Sequence, residues 1–357
     1  MHNALDAGRL ADYPPPVVLQ VLLANNLTSF TEFAFGVVRP DVPFKPNWHF
    51  EAVTEKLSQV ACGDIRRLII TLPPRSLKSL CTSVALPAWF LGRHPWERVV
   101  VVSYSDFLAR THANDFRRLV NHPIYQASFP AMRLERETDR EIITTKRGKR
   151  IATSIDGTLT GLGGNLIIID DPLKPEEALS QTQRQAANEW YDHTLYSRLN
   201  DKLSGAIVLI MHRLHEDDLA GHVLEQEPWE VVRLPAIADE AETYRVATVF
   251  GQQSFGRKAG EALHPEREPL EMIEHIRRTI GEYNFAGQYQ QMPAPLGGGL
   301  VKAGWFRRYG PDELPQSFER IVQSWDTANK ATELSDFSVC TSWGIKGKEL
   351  YLLHVPS

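Results

Sequence analysis

Lys78 and Ser79 combine a cationic side chain with a hydroxyl group, a pair suited to phosphate and metal binding. They follow an apolar run and two prolines in RLIITLPPR, residues 67–75, and they precede an apolar-periodic segment at residues 80–91. These patterns predict a strand, a loop and a helix. Such a loop presents unpaired N–H groups and the positive end of the helix dipole to an anion. Lys78 would then reach the β- and γ-phosphates of a nucleotide, and Ser79 would bind Mg²⁺.

The match to the phosphate-loop pattern GxxxxGK[ST] is incomplete. Leu72 and Leu77 occupy the two glycine positions, and Pro74 and Ser76 lie between them as further candidates for contact with the nucleotide. Taken alone, the segment also fits an ordinary helix start at which Ser79 is the N-cap residue.

A second segment, NLIIIDDP, favours the nucleotide interpretation. Four apolar residues, 166–169, lead to Asp170 and Asp171, and Pro172 prevents the strand from continuing. Adjacent carboxylates repel one another unless a cation or a polar task accounts for them. Asp170 fits an outer-sphere Mg²⁺ ligand, and Asp171 stands where a P-loop ATPase usually has a glutamate that orients the attacking water. The alternative is a surface turn that carries two aspartates.

The elements around these residues alternate between strands and helices. The predicted strands cover residues 68–72, 98–103 and 166–169 and an apolar run from residue 206 that ends at residues 212–213. The predicted helices cover residues 80–91, 106–121 and 180–200. This order predicts an α/β fold of the P-loop NTPase type, with a mostly parallel sheet and helices on both faces. Ligands bind at the carboxyl ends of such strands, so Lys78 and Asp170 should lie at one edge.

Composition excludes several classes of protein. The chain has 357 residues, enough for two domains, with 43% hydrophobic and 23% charged residues. Its apolar runs fall short of the ~18 residues that a membrane helix needs. Cys62, Cys81 and Cys340 lack ligand spacing and predict reduced thiols in a cytosol. The net charge of −5 leaves nucleic-acid contacts to local patches, of which the densest is KRGKR at residues 146–150.

Four stretches together resemble one known family. They are PPRSLKS, LTGLGGNLIIIDDPLKPEEALS, IVLIMHRLHEDDLAGHV and QSWDTANKATELSDFSV. The sequence resembles the large terminase subunit of tailed bacteriophages and prophages, the motor that packages double-stranded DNA into an empty capsid. The resemblance extends over residues 44–354 and implies an ATPase of the RecA-like class that uses ATP and Mg²⁺.

The resemblance implies roles for residues outside the lysine and aspartate segments. Terminases have a deviant phosphate loop with an early basic residue, here Arg75. An aromatic and polar segment lies beside the adenine in this family, which implies that role for Phe44, Trp48 and His49. The same segment also fits a hydrophobic staple at a helix start.

The family also implies residues that couple hydrolysis to DNA movement. The equivalent strand end senses the γ-phosphate, so His212 and Arg213 are the coupling candidates. An arginine between residues 133 and 150 could act as an arginine finger on a neighbouring subunit, but the sequence does not single one out.

The C-terminal part resembles the start of a ribonuclease H-like nuclease domain. A strand at residues 320–325 leads to Asp326, and residues 338–345 and 349–354 form a predicted hairpin. The family implies Asp326 and, more weakly, Asp336 as ligands of two divalent metals, Mg²⁺ or Mn²⁺. Because the sequence stops at Ser357, before the later strands and carboxylates, we expect an incomplete nuclease that does not cut DNA alone, with poorly protected strands.

The predicted organisation has four parts: a helical cap at 1–60, the ATPase domain at 61–235, a lid or linker at 236–305 and the nuclease part at 306–357. The family's partners are double-stranded DNA, the small terminase subunit, the portal of the procapsid and further copies in a ring, in the host bacterial cytoplasm and without a membrane. Two alternatives stay open: a degenerate prophage remnant without turnover, and a helicase-like DNA-remodelling ATPase.

Overall fold

The structure, a computed structural model, describes residues 14–155, 157, 163–248, 251–293, 307, 309–310, 313–326 and 339–355. The chain divides into two compact units, Met1–Gly297 and Gly298–Ser357.

The first unit contains helices and strands in alternation. Its helices are α1 Pro15–Asn25, α2 Leu27–Val38, α3 Trp48–Cys62, α4 Leu86–Arg93, α5 Asp106–Val120, α6 Pro123–Ser128, α7 Gln181–Trp190, α8 Leu219–Gln226 and α9 Leu270–Gln288. Its strands are β1 Arg67–Thr71, β2 Arg98–Ser103, β3 Leu134–Glu137, β4 Glu141–Thr144, β5 Lys149–Ser154, β6 Leu166–Asp170, β7 Ala206–Met211, β8 Glu230–Arg233, β9 Glu242–Thr248 and β10 Gly251–Arg257. No single described helix is long and apolar enough to cross a membrane; α1 and α2 would pass together by length and composition, but they are bent by 108° at their junction.

Eight strands form one sheet in the order β3-β4-β5-β2-β6-β7-β1-β8. Pairing is parallel from β5 through β8, and antiparallel between β3, β4 and β5. Successive β1 residues alternate between two apolar cores: Leu68 and Ile70 pack on one face and Ile69 on the other. Helices therefore cover both faces, which confirms the predicted α/β class with a mostly parallel sheet.

The strand order fixes what meets at the carboxyl edge. Strand β7 lies between β1, which precedes the lysine loop, and β6, which ends in Asp170. Ser103 at the end of β2 is in register with Asp170, and Asp170 is in register with Ile210 of β7. The ends of β2, β6, β7 and β1 consequently lie side by side.

Residues 236–293 contain more regular structure than the sequence pattern indicated. Strands β9 and β10 pair as an antiparallel hairpin, and α9 continues to Gln288 across a kink at Gly281, where φ is +80°. Polar residues on both faces of the hairpin hide its period in the sequence. Trp48 packs on it, with its ring centroid 4.7 Å from that of Tyr244.

The second unit is a three-stranded antiparallel sheet in the order β11-β12-β13. The strands are β11 Arg320–Asp326, β12 Val339–Lys346 and β13 Glu349–His354, close to the predicted bounds. Ile321, Trp325 and Leu350 are 62%, 65% and 63% exposed. The ribonuclease H-like assignment and the expected weak protection of these strands stay predictions.

Candidate phosphate and metal site

The loop after β1 contains no glycine, but two of its residues adopt backbone conformations that favour glycine. Arg75 and Leu77 both have left-handed conformations, with φ of +60° and +61°. Leu77 is at the second glycine position of the phosphate-loop pattern, so the chain retains the conformation that favours glycine there. Pro74 is half-buried and Ser76 is buried within the same loop.

The helix after this loop begins with an irregular turn. Residues Leu80–Ala85 are π-helical and α4 follows at Leu86. Pro87 has no N–H group, so the carbonyl of Ser83 lacks the usual donor four residues later. Nη2 of Arg150, whose side chain is only 1% exposed, donates to that carbonyl at 3.1 Å.

Lys78 forms a close set with Asp171 and His212. Its Nζ atom lies 2.5 Å from Oδ1 of Asp171 and 2.8 Å from Nδ1 of His212. The same Nδ1 atom lies 3.2 Å from Oδ1 of Asp171, so the imidazole contacts both charged groups. Within the described part of the chain, Nε2 has no hydrogen-bond partner. The set therefore contains a cation, an anion and a ring nitrogen that has no partner among the described residues.

Asp171 is held in a strained and electrostatically favourable position. Its φ is +47°, unusual for a residue other than glycine. Its carboxylate also accepts a bond from the main-chain N–H of His212 at 3.3 Å. Burial alone would raise the pKa of Asp171, but the Lys78 ammonium and His212 outweigh it and hold the pKa below its ordinary value. Asp171 is therefore an anion at neutral pH.

Asp170 is bound through both carboxylate oxygens. Ser79 Oγ donates to Oδ1 at 3.0 Å, and Ser83 Oγ donates to Oδ2 at 2.6 Å. His112 Nδ1 lies 3.7 Å from Oδ2. Burial raises the pKa of Asp170 above its ordinary value. A nearby cation would favour the charged form and reverse this shift.

The oxygen atoms of Ser79 and Asp170 fit a hard cation. Mg²⁺ is bound in proteins by one or two such oxygens, with phosphate and water supplying the remaining ligands. Among the described residues no group of three or more His, Cys, Asp or Glu side chains could hold a metal by itself. The donor set is thus suited to a cation that arrives with a phosphate.

Two predicted catalytic residues lie differently from His212. The Arg213 guanidinium bonds to Asp218, with Nε 2.8 Å from Oδ2, so the structure does not bring it to Lys78. Arg75 is exposed, and its carbonyl accepts a bond from the Arg267 guanidinium. Sensing through the Arg213 side chain therefore has no support from this geometry, and the role of Arg75 stays a prediction.

The three adenine-side candidates have protein partners. Phe44 packs edge-on against Phe50, with ring centroids 5.0 Å apart, and Trp48 packs on the β9–β10 hairpin. His49 is buried, and its Nδ1 is 2.7 Å from Oδ1 of Asn47, the N-cap residue of α3. Burial, followed by the charge of neighbouring cationic groups, lowers the pKa of His49 to about 3. Their proposed contact with adenine stays untested.

The nuclease candidates are not brought together by the described residues. Asp326 is the last residue of β11, and the structure describes its backbone only. Asp336 lies outside the described residues.

The KRGKR patch is less available to DNA than the sequence indicated. Arg150 belongs to the buried face of β5, and its guanidinium packs over the Phe116 ring at 5.1 Å from the centroid. Lys149 pairs with Glu141 at 3.1 Å. Lys146 and Arg147 are exposed. The expectation of one continuous surface patch is wrong, because the pattern continues from a turn into a buried strand.

Sequence reasoning missed four residues of this site. Ser83 could have been found, because it lies one helical turn after Ser79 and so shares its face. His112, Arg150 and Gln291 carry no local signal, since each comes from a distant element. Gln291 accepts a bond from the main-chain N–H of Arg213 at 3.0 Å.

No family model matches the chain, and no curated protein matches it. Among solved structures, the large terminase of the thermophilic bacteriophage D6E in complex with ADP matches at 10% identity over 85% of this chain and 67% of that chain, with a TM-score of 0.37. The HK97 bacteriophage large terminase matches at 13% identity over 89% of this chain and 65% of that chain, with a TM-score of 0.43. The ATPase domain of the Thermus phage P74-26 large terminase matches at 13% identity over 71% of this chain and 96% of that chain, with a TM-score of 0.42. The chain spans about two thirds of the length of the first two structures, and all three belong to the family that its sequence resembles.

Proposed function

We propose that this chain is a large terminase subunit whose first unit hydrolyses ATP in a Mg²⁺-dependent reaction to drive double-stranded DNA into a procapsid. The proposal rests on one observation. Lys78, Asp171 and His212 lie together beside the hydrogen-bonded side chains of Ser79 and Asp170. Three separate strand ends supply these groups, as a nucleotide site at the carboxyl edge of a parallel sheet requires.

Phosphate binding would begin with an exchange of partners at Lys78. The ammonium is neutralised by Asp171 at 2.5 Å, and phosphate oxygens are stronger acceptors with more charge. Main-chain N–H groups of the loop and the start of the following helix would hold the remaining phosphate oxygens. Lys78 would thus move from a carboxylate to the β- and γ-phosphates.

Asp171 would then be available to the attacking water. An aspartate of ordinary pKa is ionised at neutral pH, and its carboxylate can accept a hydrogen bond from a water molecule in line with the γ-phosphate. The Nε2 atom of His212 could form a hydrogen bond with a phosphate oxygen. The loss of the γ-phosphate would therefore change the partners of both residues.

Ser79 and Asp170 would hold the divalent cation. When bound, Mg²⁺ neutralises charge that develops on the phosphate oxygens. Ser79 would exchange its bond to Asp170 for a direct metal contact. Ser83, whose bond to the other oxygen is 2.6 Å, would keep the carboxylate in place during this exchange.

The remaining parts of the proposal follow the family resemblance. The chain would act in the host cytoplasm as part of a ring on the portal, with the small terminase subunit and double-stranded DNA as partners. Exposed cations such as Lys146 and Arg147 are available for phosphate contacts with DNA. A nuclease that uses Asp326 and Asp336 would bind two divalent metals and would need further carboxylates as ligands.

The test of the motor proposal is ATP hydrolysis with and without linear double-stranded DNA, together with displacement of a third strand from a triplex on that DNA. We expect DNA to stimulate hydrolysis and the third strand to be displaced while the duplex stays paired. Separation of the duplex strands would favour the helicase-like alternative. ATP binding without any hydrolysis would favour the remnant.

A further inference from the structure

Residues at and just after the carboxyl end of α9 contact the segment that follows β7 and contains His212. Gln291 is only 3% exposed, and its Oε1 accepts a bond from the main-chain N–H of Arg213 at 3.0 Å. Its Nε2 donates to the carbonyl of Gln288 at 2.5 Å. Both polar atoms of this buried amide are therefore hydrogen-bonded, and one of the two bonds is to the residue that follows His212.

Arg213 is also approached at its carbonyl group, which belongs to the next peptide. Gly287 packs so closely that a Cβ atom there would lie 2.9 Å from the carbonyl oxygen of Arg213. Only a residue without a side chain allows this approach without movement. The end of α9 thus restrains both the N–H and the C=O of Arg213.

Arg233 links this contact region to the sheet. This residue is in register with Thr71 of β1, and its Nη2 donates to the carbonyl of Gln290 at 2.8 Å. Its Nε donates to the carbonyl of Gln291 at 3.4 Å. Gln291 is therefore held between the ends of β7 and β8.

We propose that Gln291 is a positioning residue for His212, and this inference rests on the proposed function. Strand β7 ends at Met211, so the sheet no longer fixes the backbone at His212 and Arg213. The Gln291 amide supplies the missing main-chain partner and sets where the imidazole meets Lys78 and Asp171. Through the same bond, a change at the phosphates reaches α9.

Gln290 provides a matched control. It is the adjacent glutamine, and its side chain also makes main-chain bonds, accepting from Ile237 N at 3.0 Å and donating to Ile237 O at 2.9 Å. It makes none of the described bonds to residues 212 and 213. Loss of either side chain should lower the melting temperature, but only loss of Gln291 should displace His212.

The experiment compares Gln291→Met and Gln290→Met with the wild-type chain by melting temperature, equilibrium affinity for Mg·ATP and steady-state hydrolysis. Methionine preserves volume and removes the hydrogen bonds. We expect Gln291→Met to lose at least about tenfold in kcat while its affinity for Mg·ATP changes less than about threefold, because one lost positioning bond is equivalent to about that factor. Gln290→Met should retain wild-type kcat.

Equal kcat in the two variants would overturn the inference, and so would a loss of affinity in parallel with kcat. If Gln291→Met does not fold, Gly287→Ala places a methyl group against the carbonyl of the same residue, Arg213, and should lower kcat in the same way; an unchanged kcat there would also overturn the inference. A wild-type chain without hydrolysis would instead remove the proposed function on which the inference rests.

Discussion

The Nζ atom of Lys78 lies 2.5 Å from Oδ1 of Asp171, so the cation expected at the phosphates is paired with the carboxylate expected at the attacking water. The two groups are largely buried, with 8% and 19% of their side-chain surface exposed. An ion pair of this kind strengthens as water is excluded. In the proposed function a phosphate takes the place of this carboxylate at Lys78, so binding and catalysis would share one interaction.

Replacing Asp171 with asparagine should separate these two effects. Asp171→Asn removes the competing charge, so ATP should bind about tenfold more tightly to Lys78. Hydrolysis should fall at least about 100-fold, since the amide cannot act as a base. Calorimetric titration and steady-state turnover measure the two quantities. Asp64→Asn, at an exposed turn, is the control, and a variant that loses affinity as well as turnover would contradict the exchange.

Ser83 should affect metal dependence more than nucleotide binding. Ser83→Ala removes the 2.6 Å bond to Asp170, so the carboxylate is less well oriented toward the cation. The concentration of Mg²⁺ at half-maximal hydrolysis should rise about tenfold, the usual size of such an outer-shell effect. Affinity for ATP measured in EDTA should be unchanged. Ser128→Ala serves as the control, and unaltered Mg²⁺ dependence in Ser83→Ala would disprove this role.

The backbone at Leu77 predicts an order among substitutions. Its φ of +61° suits glycine, is tolerated by leucine and is unfavourable for a β-branched residue. Leu77→Val should therefore weaken ATP binding, by about tenfold for a strain of 1–2 kcal/mol. Leu77→Gly should bind ATP at least as well as Leu77→Val does. Affinities in the reverse order would show that the loop conformation is not the one that binds phosphate.

His49 should make the unliganded protein sensitive to mild acid. Its pKa is about 3 in the folded chain and 6.5 as a free group, so the unfolded state binds more protons below pH 6.5. This stabilising contribution is full above pH 6.5 and declines as the pH falls toward 3. At pH 5 the loss is about 2 kcal/mol. Urea unfolding at pH 7 and pH 5 should show that His49→Gln loses less stability than the wild type by about that amount. The same loss in both proteins would refute the assignment.

The fold class could be predicted because each central strand is a short apolar run that is followed by polar residues or proline. Residues 98–103 were predicted as a strand with the bounds that the structure shows, and the strand predicted to end at residues 212–213 ends at Met211. The β9–β10 hairpin was missed because both of its faces carry polar residues. Arg150 was mistaken for a surface cation, since a charged residue in a strand gives no local sign that it is buried.

The core of the candidate site could be predicted for the same reason. Lys78 follows a strand and Asp170 ends one, and strand ends of a parallel sheet meet at one edge. The orientation of Arg213 toward Asp218 could not be predicted, because it depends on the turn that follows β7. The contact between Gln291 and Arg213 joins residues 78 positions apart, beyond any local pattern.

The most direct test of the account is Mg²⁺-dependent ATP hydrolysis by the wild-type chain, Lys78→Ala and Lys174→Ala. Lys174 is partly exposed, pairs with Glu177 at 2.9 Å and controls for the loss of a nearby cation. We predict that the wild type and Lys174→Ala hydrolyse ATP at similar rates, and that Lys78→Ala is at least about 100-fold slower. Equal hydrolysis by Lys78→Ala and the wild type would contradict the placement of the phosphate site.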